Sequence, residues 1–373
     1  MGPPYCAPRS ASYSGQGRPC GGEHAAQGNA IAACPVCVAH EGTAELFALP
    51  TSCPRGAGAT YYAAFGAADC GVVGQALGFP RLQVLVVLVL TLGGLRVLGW
   101  PRHPRLLRLG LLAGTLAIVM QASYLWPYLP FAPKAVADAT AAQAHDTTSR
   151  VRVLVINVLI KNRQDARLRQ LVLATHPDVL LALETDDWWI RALRPLQAAY
   201  PYRIELPRAN AYGMVLYSRL PLLHPHTQDL EQPGVPSVIA GMRLPDGRTF
   251  TFFGIHPTPP IPDNYPDGVG LRNVVLQKVG RLLRQTPGPV LVAGDFNDVS
   301  WSKTTHQLVA EGPVQDVSLG RGFYPTFDAL IPLMRWPLDH FFVSPQFRVV
   351  SLTRPPAVGS DHFALLAELA LAD

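Results

Sequence analysis

Residues 151–184 read VRVLVINVLIKNRQDARLRQLVLATHPDVLLALE, and this stretch decides the class of fold. VRVLVINV is rich in β-branched residues, the composition of a buried strand. Asn162–Ala174 follows with a helical pattern, and VLLALE closes the stretch as a second apolar strand. Working outward, further strands are expected at 213–218 (GMVLYS), 236–243, 249–256, 289–294 (PVLVAG), 338–343 and 362–369, with a helix around 271–285. Many strands with few helices across 151–373 imply an α/β fold of two sheets flanked by helices. No internal repeat is evident at the periods of solenoids.

The chain before residue 151 has a different character. The whole protein is 49% hydrophobic and only 15% charged, against about a quarter in soluble chains, which suggests membrane-embedded segments. Two apolar runs carry that deficit: Leu82–Trp100 (LQVLVVLVLTLGGLRVLGW) and Leu109–Tyr128 (LGLLAGTLAIVMQASYLWPY). Each is near the roughly 20 residues that cross a bilayer as a helix. Tyr124, Trp126 and Tyr128 close the second, as aromatic residues do at headgroup level. Two transmembrane helices are therefore expected within 81–132. Arg96, Arg102, Arg105 and Arg108 lie in or beside the short connection between them. Arginine-rich short loops stay in the cytoplasm, so both termini are expected outside, in the periplasm of a Gram-negative cell. Residues 1–80, rich in Gly, Ala, Pro and Ser, are expected to be a disordered extension, without the pattern of a signal peptide. Residues 133–150 read as a polar linker. All six cysteines precede residue 71, and Cys34 and Cys37 have no second pair at metal-binding spacing.

Charge narrows the partners. Of the net +5, the region from Val151 onward holds 21 Lys and Arg against 20 Asp and Glu. That region lacks the basic field that duplex binding favours, although nucleic acid stays open as a substrate.

Polar residues recur where apolar strands end. Asn157 ends the first strand and Glu184 the second; His256 ends the strand of FFGIHPTPP, and Asp295 and Asn297 follow PVLVAG. Asp339 and His340 interrupt WPLDHFFVS, and Ser360, Asp361 and His362 precede the last strand. One such residue is usually a turn or a cap. A whole set of carboxylate, amide and imidazole groups at strand ends describes a site on a rigid scaffold. Their oxygens suit Mg²⁺ or Mn²⁺, and a histidine beside a carboxylate can exchange protons.

The strings INVLIKN, LALETD, NAYGMVLYSR, GIHPTPP, GDFNDVSWS, RWPLDHFFVS and GSDHFAL resemble, in this order, the endonuclease/exonuclease/phosphatase (DNase I-like) superfamily, and specifically a bacterial membrane-anchored branch. The resemblance covers essentially all of 151–373. It implies a two-sheet DNase I-like α/β sandwich and a hydrolase of phosphate mono- or diesters, acting as nuclease, phosphatase or phospholipase. By the same resemblance, Asn157 and Glu184 would hold the metal with Asp361 assisting. Asp295 would orient the attacking water, Asn297 would bind a phosphate oxygen, and His256 would donate to the phosphate. His362 would transfer the proton, oriented by Asp339, and Tyr212 matches a position that often contacts phosphate. The substrate class is left open among nucleic acid, lipid and small phosphoester. A catalytically silent, membrane-tethered interaction module is the alternative. Trp188, Trp189, Trp301 and Trp336 are read as packing or rim residues; Lys161, Arg321 and Arg335 as phosphate clamps or solvated surface.

Overall fold

Side-chain alternation along β1 (Arg150–Asn157) divides the domain into layers. Val151, Val153 and Val155 point into one apolar core, while Leu154 and Ile156 point into another. A strand buried on both faces has no polar side, which is why VRVLVINV reads as continuous apolar sequence. The computed structural model describes residues 78–98, 104–230, 233–259 and 268–372. The expected 1–80 extension and its cysteines therefore lie almost wholly outside the described residues.

Two six-stranded mixed sheets form the domain. The first has the order β11 (Phe347–Thr353), β12 (Leu365–Leu371), β1, β2 (Val179–Leu183), β4 (Met214–Ser218), β3 (Tyr202–Leu206). The second runs β5 (Leu222–Asp229), β6 (Pro236–Arg243), β7 (Thr249–Ile255), β8 (Val290–Asp295), β10 (Asp339–Val343), β9 (Gln315–Asp316). Their inner faces make one core, in which Val155 and Leu181 meet Phe252, Leu291 and Phe341.

Each sheet contains a single parallel pair, β1–β2 in the first and β7–β8 in the second, bridged by a helix. Antiparallel neighbours can be joined by a tight turn, whereas a parallel pair needs a crossover. The first crossover carries α4 (Asp165–Thr175), whose Leu168 and Val172 pack on Leu154 and Leu180. The second carries α6 (Gly268–Gln285), whose Val275, Val279 and Leu283 pack on Val290 and Val292. Shorter helices α5 (Asp187–Leu193) and α7 (Lys303–Glu311) complete these outer layers.

Ahead of the sandwich, α1 (Arg81–Leu98) and α2 (Pro104–Leu125) form a helical pair. A Cβ on Gly114 would lie 2.6 Å from Leu92 Cδ1, so the two helices approach closely at this glycine. Among the described residues, one helix, Pro104–Tyr128, is long and apolar enough to cross a membrane. The first run is helical as expected but is not singled out on that measure. The pair leaves much apolar surface open: Leu90 is 68% exposed, Leu112 69% and Leu116 69%.

The end of the pair nearest the sandwich is anchored on it. Leu125 and Tyr128 are buried with Trp301, Leu319 and Leu338, and Trp301 Nε1 donates to Gly78 O at 2.7 Å. Residues 133–150, read as a linker, follow the domain surface instead of standing off it. Val136 enters the central core, Asp138 bridges to Val349, and Arg321 donates to Val136 O at 2.7 Å while pairing with Asp138. The short helix α3 (Ala141–His145), capped by Thr140, lies within this stretch.

Candidate active site

Strand direction alone brings the polar strand-end residues to one edge. β1 and β2 run parallel with Asn157 opposite Leu183, so Asn157 and Glu184 leave the first sheet side by side. β7 and β8 run parallel with Ile255 opposite Gly294, so His256 and Asp295 leave the second sheet together. β10 returns antiparallel and begins with Asp339 in register with Asp295. β12 pairs antiparallel with β1, Leu365 opposite Val155, which carries Asp361 and His362 to the end of β1.

Two glycines permit the approach of these elements. At Gly294, φ is +155°, and a Cβ would lie 1.8 Å from Ile255 O, so only glycine lets β8 reach Asp295 beside β7. At Gly213, a Cβ would lie 1.7 Å from Thr185 O, because the chain leaving Glu184 presses on the start of β4. Glu184 and Asn297 themselves adopt φ of 59° and 50°. Such left-handed backbone costs a non-glycine residue on the order of 1–2 kcal/mol and collects at functional sites.

Asp295 is the hub, fully buried with its carboxylate facing three side chains. Asn157 Nδ2 donates to its Oδ2 at 3.1 Å, His362 Nε2 lies 3.5 Å from the same oxygen, and His256 Nε2 lies 3.8 Å from it. Asn297 N donates to Oδ1 at 2.8 Å, and Asn297 Nδ2 donates to Pro257 O at 2.9 Å. Tyr212, 7% exposed, sets its ring 5.9 Å from that of His256. His256 Nδ1 is buried and has no hydrogen-bond partner among the described residues. A buried polar atom without a partner is costly, so an incoming ligand group would relieve it.

His362 lies between two carboxylates, with Nδ1 at 2.8 Å from Asp339 Oδ2 and Nε2 facing Asp295. Burial alone would push the imidazole pKa down, but Asp339, Asp295 and Asp361 outweigh it and raise the pKa. The balance is reasonable in size, since a unit charge pair at 4 Å contributes about 4 kcal/mol at an effective dielectric near 20. Asp339 is pushed up by its own burial and by Asp295, with His362 pulling it down. The two shifts describe one shared proton, and with three carboxylates facing the ring the imidazole is the partner held charged.

A second acidic cluster lies beside the first. Glu184 accepts from Asn157 Nδ2 at 2.8 Å and from Ile160 N at 3.2 Å. Asp361 is raised first by burial, with His362 lowering it and Glu184 raising it again. Two neighbouring carboxylates are an oxygen-donor set suited to a hard divalent cation. Asn157 fits less directly: its Oδ1 accepts from Leu159 N at 3.0 Å, so its only ligating atom is already engaged. Asp295, Asp339 and His362 also bring ligand atoms within 4.8 Å of one another. Within this trio, His362 Nδ1 and Asp339 Oδ2 are already engaged with each other at 2.8 Å.

Residues 154–362 match the description "Endonuclease/Exonuclease/phosphatase family", which is more than half of the chain. The chain belongs to the endonuclease/exonuclease/phosphatase family. Solved structures of this family share the fold. One, from Bacteroides vulgatus, is 21% identical over 60% of this chain and 99% of its own, with a TM-score of 0.49. A humanized D. rerio TDP2 is 16% identical over 59% of this chain and 99% of its own, at 0.50. A Bacteroides thetaiotaomicron mannosyl-6-phosphatase is 19% identical over 59% and 100%, at 0.45. No curated protein matches the sequence. Members of the family are phosphoester hydrolases that commonly use divalent metals, and the DNase I-like sandwich is the shared architecture.

Of three further contributors to this candidate site, Ser360 was named in the sequence without a role and two escaped the reading. Ser360 Oγ donates to Asn157 O at 2.7 Å and accepts from His362 N at 3.0 Å, fastening the two halves together. Thr326 Oγ1 accepts from Asp339 N, and Phe327 sets its ring 5.0 Å from that of His362. Ser360 was visible in the GSDHFAL string; Thr326 and Phe327 carried no signal, because no strand pattern surrounds them. His340 turns away from the site, with Nε2 at 2.8 Å from Asp298 O and its ring edge-on to Phe296, as suits a residue given no chemistry. Trp189 and Trp301 are buried packing residues, and Arg321 serves the 133–150 stretch, not a phosphate.

Proposed function

We propose that this protein is a membrane-anchored, divalent-cation-dependent phosphoesterase that hydrolyses a phosphate mono- or diester by in-line attack of water. The observation that carries the reading is His362 held between Asp339 and Asp295 at an edge that also gathers His256, Glu184 and Asp361. A Mg²⁺ or Mn²⁺ ion held by Glu184 and Asp361, with Asn157 beside them, would neutralise charge building on the phosphoryl group.

The remaining steps belong to the side chains. Asp295 orients the attacking water with its buried carboxylate, itself fixed by Asn157 and Asn297. His256 would donate to a phosphoryl oxygen through the ring nitrogen that lacks a partner among the described residues, Nδ1, with Asn297 and Tyr212 nearby. His362, kept charged by Asp339, delivers its proton to the leaving alkoxide, a role usually worth about 10²–10⁴ in rate. A similar structure, a D. rerio TDP2, is complexed with a single-strand DNA product, which keeps nucleic acid among the substrates to assay.

The helical pair is read as two membrane spans holding the domain at the bilayer. The 25-residue Pro104–Tyr128 helix, whose apolar 18-residue window is only 6% buried, supports this reading, as do Arg96, Arg105 and Arg108 at the ends of the two helices away from the sandwich. By the tendency of arginine-rich short loops to stay inside, the catalytic domain would then lie outside the cytoplasm of a bacterial inner membrane. The experiment is a phosphoester panel assayed on the full chain with Mg²⁺, Mn²⁺ or EDTA. EDTA should abolish turnover and either ion should restore it; EDTA-resistant or zinc-only turnover would refute the metal assignment.

A further inference from the structure

Residues 327–336 form a hairpin whose tip carries apolar side chains into the open. Phe327 N donates to Trp336 O at 2.9 Å and Asp328 N to Met334 O at 3.0 Å, leaving residues 329–333 as the turn. Leu330 is 65% exposed, Ile331 50%, Leu333 84% and Met334 45%. Isolated apolar residues on a surface need no explanation, but four on one tip do.

What lies on either side of the tip identifies its surroundings. Gln83 Nε2, in the first turn of α1, donates to Leu333 O at 3.2 Å, and Phe79 packs edge-on against Trp336 at 6.1 Å. The tip is therefore level with the end of the helical pair, where Trp126 and Phe131 also stand exposed, 5.1 Å apart. Toward the other side, Ala329 N donates to Asp361 O at 2.7 Å, and Phe327 lies against His362. Four residues of chain reach at most about 14 Å, so Ile331 cannot stand farther than that from Phe327.

A pair of arginines adjoins the same hairpin, Arg335 fastened to it through Asp328 O and Ala329 O. Arg335 and Arg354 both stack on Phe363, with Cζ at 5.0 and 3.8 Å from the ring centre. Arg354 Nη1 is buried without a hydrogen-bond partner among the described residues. Burial and, after it, the neighbouring Arg335 both disfavour the Arg354 charge. Two guanidinium groups with an unused buried donor match the geometry of a phosphate oxygen.

From this continuity we infer that the 327–336 hairpin dips into the bilayer that holds the helical pair, and that the substrate is a phospholipid of that bilayer, its phosphate steered past Arg335 and Arg354 into the site. The inference rests on the phosphoesterase reading. Water would add to phosphorus, one P–O ester bond would break, and the departing alkoxide would take up a proton to leave as an alcohol.

The test uses the full chain in nanodiscs of phosphatidylcholine and phosphatidylglycerol. Mass spectrometry follows the phosphate and alcohol products of these lipids, while soluble bis-p-nitrophenyl phosphate and single-stranded DNA are assayed in parallel. Wild-type protein should cleave nanodisc phospholipid. L330D/L333D should lower lipid turnover about tenfold or more, the penalty of roughly 1.4 kcal/mol or more for charge at the interface, and leave bis-p-nitrophenyl phosphate turnover unchanged. L330S/L333S replaces it if the aspartates disturb folding. Soluble ester or DNA cleaved with the lipids intact, or lipid cleavage indifferent to both variants, overturns the inference and leaves the phosphoesterase reading standing. No turnover of any ester brings down both.

Discussion

Replacing His362 and Asp339 separates positioned proton transfer from mere packing. In His362→Ala the group facing Asp295 at 3.5 Å is gone, so the leaving alkoxide must take its proton from water. Loss of a positioned acid costs about 10²–10⁴ in kcat, or roughly 3–5 kcal/mol at 1.36 kcal/mol per tenfold. Asp339→Asn is milder. The amide oxygen can still accept from Nδ1 at 2.8 Å, but one of the carboxylates raising the imidazole pKa is lost while Asp295 and Asp361 remain. A loss of about tenfold to a hundredfold is expected. Sign matters for the pH profile. A raised folded pKa keeps the acid form through neutrality and loses it as pH rises through that raised value, so Asp339→Asn should move the basic limb to lower pH. Because the pair acts as a unit, the double variant should be little slower than His362→Ala alone. The assay is kcat against pH with Mn²⁺ on a phosphodiester whose leaving group is an alkoxide, such as single-stranded DNA or a dialkyl phosphate, with circular dichroism confirming folding. Near-wild-type turnover by folded His362→Ala, or losses that multiply in the double variant, would refute the reasoning.

Two other outcomes follow from the structure. Gly294→Ala forces a Cβ to within 1.8 Å of Ile255 O at a φ of +155°, so β7 and β8 must part. A cost of about 4 kcal/mol or more is expected, lowering the melting temperature by roughly 10 °C, and an unchanged melt would contradict the account of this junction. A phosphatase reporter fused after the C-terminal domain should be active in the periplasm, whereas a silent phosphatase fusion with a fluorescent green-protein fusion would reverse the orientation.

Most of the interior was legible in the sequence, and what was not has a shared cause. β1, β2, β4, β6, β7, β8, β10 and β12 were all expected, within a few residues at their ends. The four strands not foreseen, β3, β5, β9 and β11, are the four sheet edges. An edge strand meets water on one side and need not be apolar: β5 reads LLHPHTQD and is exposed over most of its length. Polar residues that keep an edge strand from pairing with another chain remove the apolar alternation that sequence patterning depends on. The site was legible because each polar group interrupts an apolar strand at its end, a contrast seen without knowing the topology. Register was not legible: that Asp339 pairs with Asp295, placing His362 between them, follows from β10 returning antiparallel to β8. The packing of the 133–150 stretch was not legible for a different reason. Its backbone joins β11 and its apolar contacts are few, with Val136 the main one, so composition resembles that of a linker.

The central claim is that water attacks phosphorus at this edge of the sandwich. Its most direct test is hydrolysis of a phosphoester by the full chain with Mg²⁺ or Mn²⁺ in ¹⁸O-labelled water, reading the products by mass spectrometry. The account predicts one ¹⁸O in the phosphate product, none in the alcohol, and no turnover in EDTA. Label in the alcohol, or no hydrolysis of any phosphoester with either ion, would contradict it.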